Sequence, residues 1–451
     1  MVARLAMADI EHFPTLTPDG KRMLDFLREH PAAPLYRNSS GNKLLGHEVT
    51  ALRKFEREVM EATVGWEPGS VPEWLVAHTN KVFATVPYYQ ALGSPSRDFF
   101  DIAPVSRADL ASDIAQFVPD DVDIDRMINF RTTGTTGHRL LIASHPMVAA
   151  SYLAFHKRAL KRFGVELTHG RGQVGVVLLG FQRACFTYVS VTPTMDESGL
   201  AKVNLHPDDW RRLEDRGVYL DALAPEVIAG DPISFVELLN VQLTTRPRAL
   251  ISVSMLLLPG LRSRLEQRFA CPVLDIYSLN EVGPVGVYDA ALNGHLLLQP
   301  ELFVEILDSD GRPVAPGERG EITVSGGFNF CLPLLRYRTG DYGSLSYTPA
   351  GPVIIGLSGR RPVRFMTERG TWMNNIDVTH ALHPLAIPHF GFHQRADGSL
   401  VLRLGAGAMP FADQAVAALA ALFGAQAVEV ELLDAEDKIV QYTSDLLGAH
   451  T

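Results

Sequence analysis

The sequence predicts an α/β fold: a large N-terminal domain of helix-covered β-sheets with a β meander, followed by a small α+β C-terminal domain. Three observations predict it. From about residue 128 short apolar runs alternate with helical patterns, the signature of a parallel sheet covered by helices. The section 296–345 alternates apolar with polar residues around the turn signals DSDG and APGERG, as an antiparallel meander does. The stretch 357–363, LSGRRPV, reads as a linker, and beyond it lies a smaller unit with an Ala-rich helix at 410–424. The expected boundaries are 1–357, with 1–120 mostly helical, and 358–451.

In the opening segment, EVTALRKFEREVMEATVG has helical spacing and no internal Pro. A second helix covers PEWLVAHTNKVFATV and stops at Pro87. A third covers SRADLASDIAQF, where Ser106 and Asp109 have capping-box spacing. VGVVLL (174–179) is fully apolar, as a buried strand is. EVIAG is another strand, after which Asp231 caps a helix opening with Pro232. RALISVSML, LRSRLEQRF and PVLDIYSL repeat the strand–helix–strand pattern.

Composition narrows the function. Hydrophobic residues make up 46% and charged residues 20%, which suits a globular enzyme with a sizeable core. The net charge is −10 with scattered Lys and Arg, which argues against a nucleic-acid partner. Cys185, Cys271 and Cys331 fit neither a zinc site nor a disulfide framework, and their apolar surroundings predict buried, reduced thiols. The N-terminus lacks a signal-peptide pattern, and no uninterrupted apolar run reaches the roughly 18 residues of a membrane span. A cytoplasmic protein with no membrane partner is the expectation, and an oligomer is compatible with it.

Four segments carry candidate chemistry. Thr132-Thr133-Gly134-Thr135-Thr136-Gly137 combines close-approach glycines with four hydroxyls, so its backbone N–H groups can cradle phosphates. Alone it reads as an ordinary turn, and no Lys follows its second Gly. The segment 275–284 brings a strand into a polar loop. Its Tyr277 ring offers a stacking face for a purine, and its Glu281 carboxylate can hold Mg²⁺ against a phosphate. In Arg336-Tyr337-Arg338-Thr339-Gly340-Asp341, the Asp can accept two hydrogen bonds from a ribose diol; the plain alternative is an Arg–Asp surface pair. Gly359-Arg360 lies at the domain boundary. Gly170-Arg-Gly172-Gln-Val-Gly175 matches a dinucleotide-binding pattern but precedes its strand, so it reads as a turn.

In this order the segments resemble the adenylate-forming acyl ligases, and most nearly their phenylacetate–coenzyme A ligase branch. The family's phosphate loop, roughly SSGTTGKPT, reads TTGTTGHRL here; YGLSE-x-x-GPG reads YSLNEVGPVG; and PxxRYRTGD reads LPLLRYRTGD. HTNKVFATVPYYQALG and IAPVSRADLASDIAQFVP also look like this branch, and the resemblance spans roughly 70–380. It implies ATP-dependent, AMP-forming activation of a small carboxylic acid as an acyl-adenylate, then transfer to coenzyme A. It also implies site roles. Thr132 through Gly137 hold the β- and γ-phosphates, Tyr277 stacks on adenine, and Ser278, Ser254 and Asp275 line that pocket. Glu281 holds Mg²⁺, Asp341 binds the ribose, and Arg360 sits near ribose and phosphate. The acid pocket draws on Phe181, Arg183, Cys185, Phe186, Tyr188 and Gly283, whose aromatic content favours an apolar or aromatic acid; Arg183 would instead meet a second acidic group.

The sequence departs from the family in places. His138-Arg139 replaces the loop lysine, so Arg139 is the candidate for its charge. The hinge acids after Gly359-Arg360 are missing, and Pro362 stands near the hinge. The C-terminal GKxxR segment is missing too, leaving Lys438 as the candidate adenylation lysine. These departures keep two alternatives open: an amide synthetase that passes the acyl group to an amine, and a nucleotide-binding protein that does not turn over.

Overall fold

The computed structural model describes residues 9–131, 141–181, 185–359, 363–382, 384–385, 387, 390–433 and 440–446. The chain forms two compact units, one of Met1–Asn42, Leu167–Asp275 and Pro362–Thr451, the other of Lys43–Glu166 and Ile276–Arg361.

The first unit holds the expected parallel sheet. Strands Val174–Gly180, Val227–Gly230 and Ala249–Ser252 lie side by side in parallel, and Val273 begins the strand beyond them. On the other side Ser198–Asn204 runs parallel to Val174–Gly180, and Tyr188–Thr192 closes the edge antiparallel. All residues of Val227–Gly230 and Ala249–Ser252 are buried, which explains why these strands are continuous apolar runs rather than alternating ones. Helices Pro232–Asn240 and Pro259–Phe269 supply the crossovers. Asp231 accepts the Ser234 N–H at 2.8 Å, so the first crossover starts where a cap and a first-turn proline coincide. Phe235, Leu238, Leu261 and Leu265 pack with Val177, Ile228 and Leu250 into the core.

The C-terminal segment of this unit packs around a second core cluster, which Leu258 also joins. Strands Phe390–Gln394 and Leu400–Leu404 form a hairpin, flanked in parallel by Tyr442–Ser444 and Val428–Leu432. Helix Ala412–Phe423 places Ala415, Leu419 and Phe423 with Phe365, Phe392 and Leu402. The stretch Ala406–Phe423 meets the length and mean hydropathy (1.4) of a membrane span, although it begins as a 3₁₀ turn containing Pro410.

The second unit contains the meander. Leu302–Leu307, Arg319–Gly326, Leu334–Thr348, Gly351–Gly359, Gly294–Leu297 and Gly283–Asp289 are successive antiparallel neighbours, and Ile276–Leu279 joins beyond Gly283–Asp289. Helices Gly46–Glu61, Glu73–Thr85 and Pro146–Arg162 belong to this unit. A short hairpin, Ile128–Arg131 with Leu141–Ser144, brackets the threonine- and glycine-rich segment.

Two expectations need correction. The third helix ends at Ser112, because Asp113 is extended (φ −161°) and its carboxylate accepts the Ala115 N–H at 3.1 Å, starting a separate 3₁₀ turn over Ile114–Phe117. Cys331 is buried, but Cys185 and Cys271 are half-buried, since each follows the end of a core element; all three are free.

Candidate active site

The site residues of the second unit are carried by three strands and the loop between two of them. Strand Val273–Leu279 carries Tyr277 and runs into Asn280–Val282, and Gly283 opens the return strand. Gly283 is the one position of this loop where a glycine is obligatory. Its φ is +74°, and an added Cβ would sit 2.5 Å from Cε1 of Phe328. Two buried amides hold the loop. Asn329 Nδ2 donates to the carbonyls of Glu281 (3.2 Å) and Ala143 (3.1 Å), and Gln299 Nε2 donates to those of Val282 (2.7 Å) and Pro284 (2.8 Å).

The strand Leu334–Thr348 carries RYRTGD, and its residues divide their work. Arg336 is buried, not a surface partner of Asp341. It donates to both Glu305 oxygens (2.8 and 3.2 Å) and to the carbonyls of Phe100, Ile102 and Gly311 at 2.6, 2.7 and 3.1 Å. Arg338 binds Glu321 through Nε (2.8 Å) and Nη2 (2.5 Å). Both arginines therefore hold the strand. Tyr337 and Asp341 point to the chemistry: the Tyr337 hydroxyl donates to Glu281 Oε1 at 3.0 Å, and the Tyr277 hydroxyl donates to Asp341 Oδ2 at 2.8 Å. Burial and the neighbouring carboxylates push both phenols well above their ordinary pKa, so both stay protonated and donate. Asp341 also stands opposite Gly359 across the next strand.

A second contact on Glu281 has no counterpart in the sequence analysis. Arg107 Nη1 lies 3.2 Å from the same Oε1. Val105 bridges to Tyr337, and Ser106 caps the helix Arg107–Ser112 with its expected Asp109 partner, which sets Arg107 over the carboxylate. The capping box was the only local signal of this placement.

The remaining predicted residues fall as follows. Tyr277, Ser278, Glu281, Gly283 and Asp341 come together in the second unit. Ser254 and Asp275 belong to the first unit; Ser254 has φ +74°, and Asp275 lies 3.7 Å from Arg262 while burial raises its carboxyl to about 7. Phe181, Cys185, Phe186 and Tyr188 follow the carboxyl end of strand Val174–Gly180, where ligands bind in open α/β sheets. Phe181 and Tyr188 are half-buried, and Phe181 faces His206 with ring centroids 5.8 Å apart. Phe186 is 51% exposed, so it is not core. Thr132–Gly137, Arg139, Arg183, Arg360 and Lys438 lie outside the described residues.

No family model matches the chain. Over 86 residues it is 36% identical to phenylacetate–coenzyme A ligase of Escherichia coli K12, a match taking in 18% of this chain and 20% of that protein's length. The structure is similar to that of a 2-hydroxyisobutyryl-CoA ligase in the postadenylation state with R3-HIB-AMP. That likeness has a TM-score of 0.59 and 16% identity, and it covers 88% of this chain and 90% of that one. An open conformation of 2-hydroxyisobutyryl-CoA ligase with 2-HIB-AMP and CoA gives a TM-score of 0.51 at 17% identity, covering 81% and 88%. The chain thus has the fold of the adenylate-forming acyl ligases and, over part of its length, a sequence likeness to their phenylacetate–coenzyme A ligase branch.

Proposed function

We propose that the protein activates a small carboxylic acid with ATP and passes the acyl group to coenzyme A. The observation that carries this reading is the pairing, within one unit, of the two motif carboxylates with tyrosine hydroxyls: Glu281 with Tyr337 and Asp341 with Tyr277. Each carboxylate is thereby oriented before ligand arrives, which is what catalysis by positioning and charge stabilisation needs. The solved relatives hold acyl-AMP, and one holds CoA as well.

In the first half-reaction a substrate carboxylate oxygen bonds to the α-phosphorus of ATP, and the bond to the β-phosphate oxygen breaks, releasing pyrophosphate. Asp341 holds the ribose diol, with Tyr277 fixing its carboxylate. Thr132–Gly137 are assigned to the β- and γ-phosphates, Arg360 to the neighbourhood of ribose and phosphate, and Lys438 is the candidate adenylation lysine. In the second half-reaction the thiolate sulfur bonds to the acyl carbon and AMP leaves.

Glu281 suits magnesium. It is a hard oxygen donor, and among the described residues both of its side-chain contacts fall on Oε1. When bound, the cation neutralises charge on the phosphate oxygens. Phe181, Phe186 and Tyr188 favour an apolar or aromatic acid.

The test offers purified protein Mg-ATP, a panel of acids and both coenzyme A and amines, with products read by mass spectrometry. Acyl-coenzyme A with equimolar AMP is expected. An amide with no thioester would reassign the acceptor, and AMP formation with no acid in the panel would overturn the reading.

A further inference from the structure

In the first unit two neighbouring strands lead the chain in opposite directions. From Val174–Gly180 it goes to Tyr188–Thr192 and Ser198–Asn204 on one side. From Val227–Gly230 it goes by helix Pro232–Asn240 to Ala249–Ser252 on the other. The carboxyl ends at Gly180 and Gly230 therefore border a switch point, the place where open α/β sheets take ligands. We infer that Lys202 selects the substrate there, and that the substrate is a dicarboxylic acid: one carboxylate reacts, and the other, across an apolar body, meets the Lys202 ammonium. The inference deepens the proposed function and rests on it, since the ligand is taken to be the acid activated.

Register places the lysine. Lys202 stands between Leu178 and Tyr188 of the adjacent strands. The core of this unit takes Val177, Leu179, Ala201 and Val203, so by strand alternation Leu178, Gly180, Lys202 and Tyr188 share the opposite face. On that face Gly180 has no side chain, and the Cys185 thiol lies over it: an added Cβ would stand 2.7 Å from Sγ. Phe181 follows the strand end, and the Phe186 and Tyr188 rings lie 5.7 Å apart. The surroundings of the lysine are thus aromatic and aliphatic, which suits the body of an acid rather than its charge.

Charge singles Lys202 out. It is half-buried, yet among the described residues no carboxylate forms an ion pair with it. Asp231, at the far lip of the crevice, is committed to its helix: one oxygen accepts the Ser234 N–H at 2.8 Å and the Ser234 hydroxyl at 3.0 Å. Asp209 is paired with Arg37 at 2.5 Å and accepts from Asn204 at 2.8 Å. Lys202 nevertheless acts on the crevice, because it draws down the pKa of both Asp231 and Cys185, which burial raises. A half-buried ammonium without a counter-ion has lost hydration uncompensated, and an anionic group on the ligand restores the balance. A monoacid with the same body leaves the ammonium desolvated and unpaired, and that penalty discriminates between the two.

Matched acids test this. Hexanoate against adipate, and 4-methylbenzoate against terephthalate, are compared in wild type, Lys202→Met and Lys202→Arg. Affinity is read by ligand-observed NMR without ATP, and turnover by pyrophosphate exchange. Wild type should prefer the diacid of at least one pair by about ten- to a hundredfold, as expected for a charged hydrogen bond. Lys202→Met should abolish that preference, and Lys202→Arg should keep part of it. A purely structural lysine would weaken both acids of a pair alike. That unchanged ratio, no diacid preference in either wild-type pair, or binding of none of the four acids overturns the inference. If diacid binding depends on Lys202 but no acid supports exchange, the proposed function falls and the selectivity stands. If exchange runs on monoacids alone, the proposed function stands and this inference falls.

Discussion

Arg336→Leu asks whether the most distinctive motif in the chain serves the nucleotide or the fold. Arg336 is 1% exposed and its partner Glu305 is 5% exposed. Truncating the arginine leaves a buried carboxylate with no counter-ion and three carbonyls with no donor, a change that costs about 3–5 kcal/mol. Urea unfolding followed by tryptophan emission is suitable, because Trp66 and Trp74 lie in the same unit. The double variant Arg336→Leu/Glu305→Leu should recover most of the loss, since it removes both charges together. Burial already raises the Glu305 carboxyl, and losing Arg336 raises it further. A carboxyl raised in the folded state binds its proton more tightly there than in the unfolded chain. The single variant should therefore be least destabilised near pH 5 and more so as pH rises toward 8. An Arg336→Leu protein within about 1 kcal/mol of wild type, or a double variant weaker than the single, would refute this assignment.

The other predictions concern the loop, the tyrosines and pH. Gly283→Ala forces a side chain onto a left-handed residue and against Phe328, and should cost about 2–4 kcal/mol in the same urea assay. Tyr277→Phe frees Asp341 from its 2.8 Å donor and should raise KM for ATP by about tenfold with little change in KM for the acid, read by steady-state pyrophosphate release. Burial lowers His156 and His78 to about 4, so both are neutral when folded and charge more readily when unfolded. Stability should then fall as pH drops from about 6.5 toward 4, by up to about 3 kcal/mol for each residue, and His156→Gln should flatten that slope in a thermal-melt series.

Local chemistry made much of the fold legible. Asp231 with Pro232, the Ser106–Asp109 box and the apolar strands at 174–179 and 249–252 each form the element their residues predict. The candidate site was legible where a motif spans adjacent residues, as in Tyr277–Glu281. What escaped was set by contacts distant in sequence. Arg107 and Glu281 are 174 positions apart, and the bridge from Val105 to Tyr337 lies beside their contact. The buried role of Arg336 carries no local signal, because its acid, Glu305, lies on a different strand. Gln299 and Asn329 carry no motif at all, yet they hold the Glu281 loop through its carbonyls.

The central claim is that the chain forms an acyl-adenylate, and isotope exchange measures that step alone. Labelled pyrophosphate is incubated with ATP, Mg²⁺, protein and single acids, and label entering ATP is counted. Exchange that depends on one class of acid, falls about a hundredfold or more in Glu281→Ala and vanishes without protein is the predicted result. ATP binding with no acid-dependent exchange across the panel, or full exchange in Glu281→Ala, would contradict it.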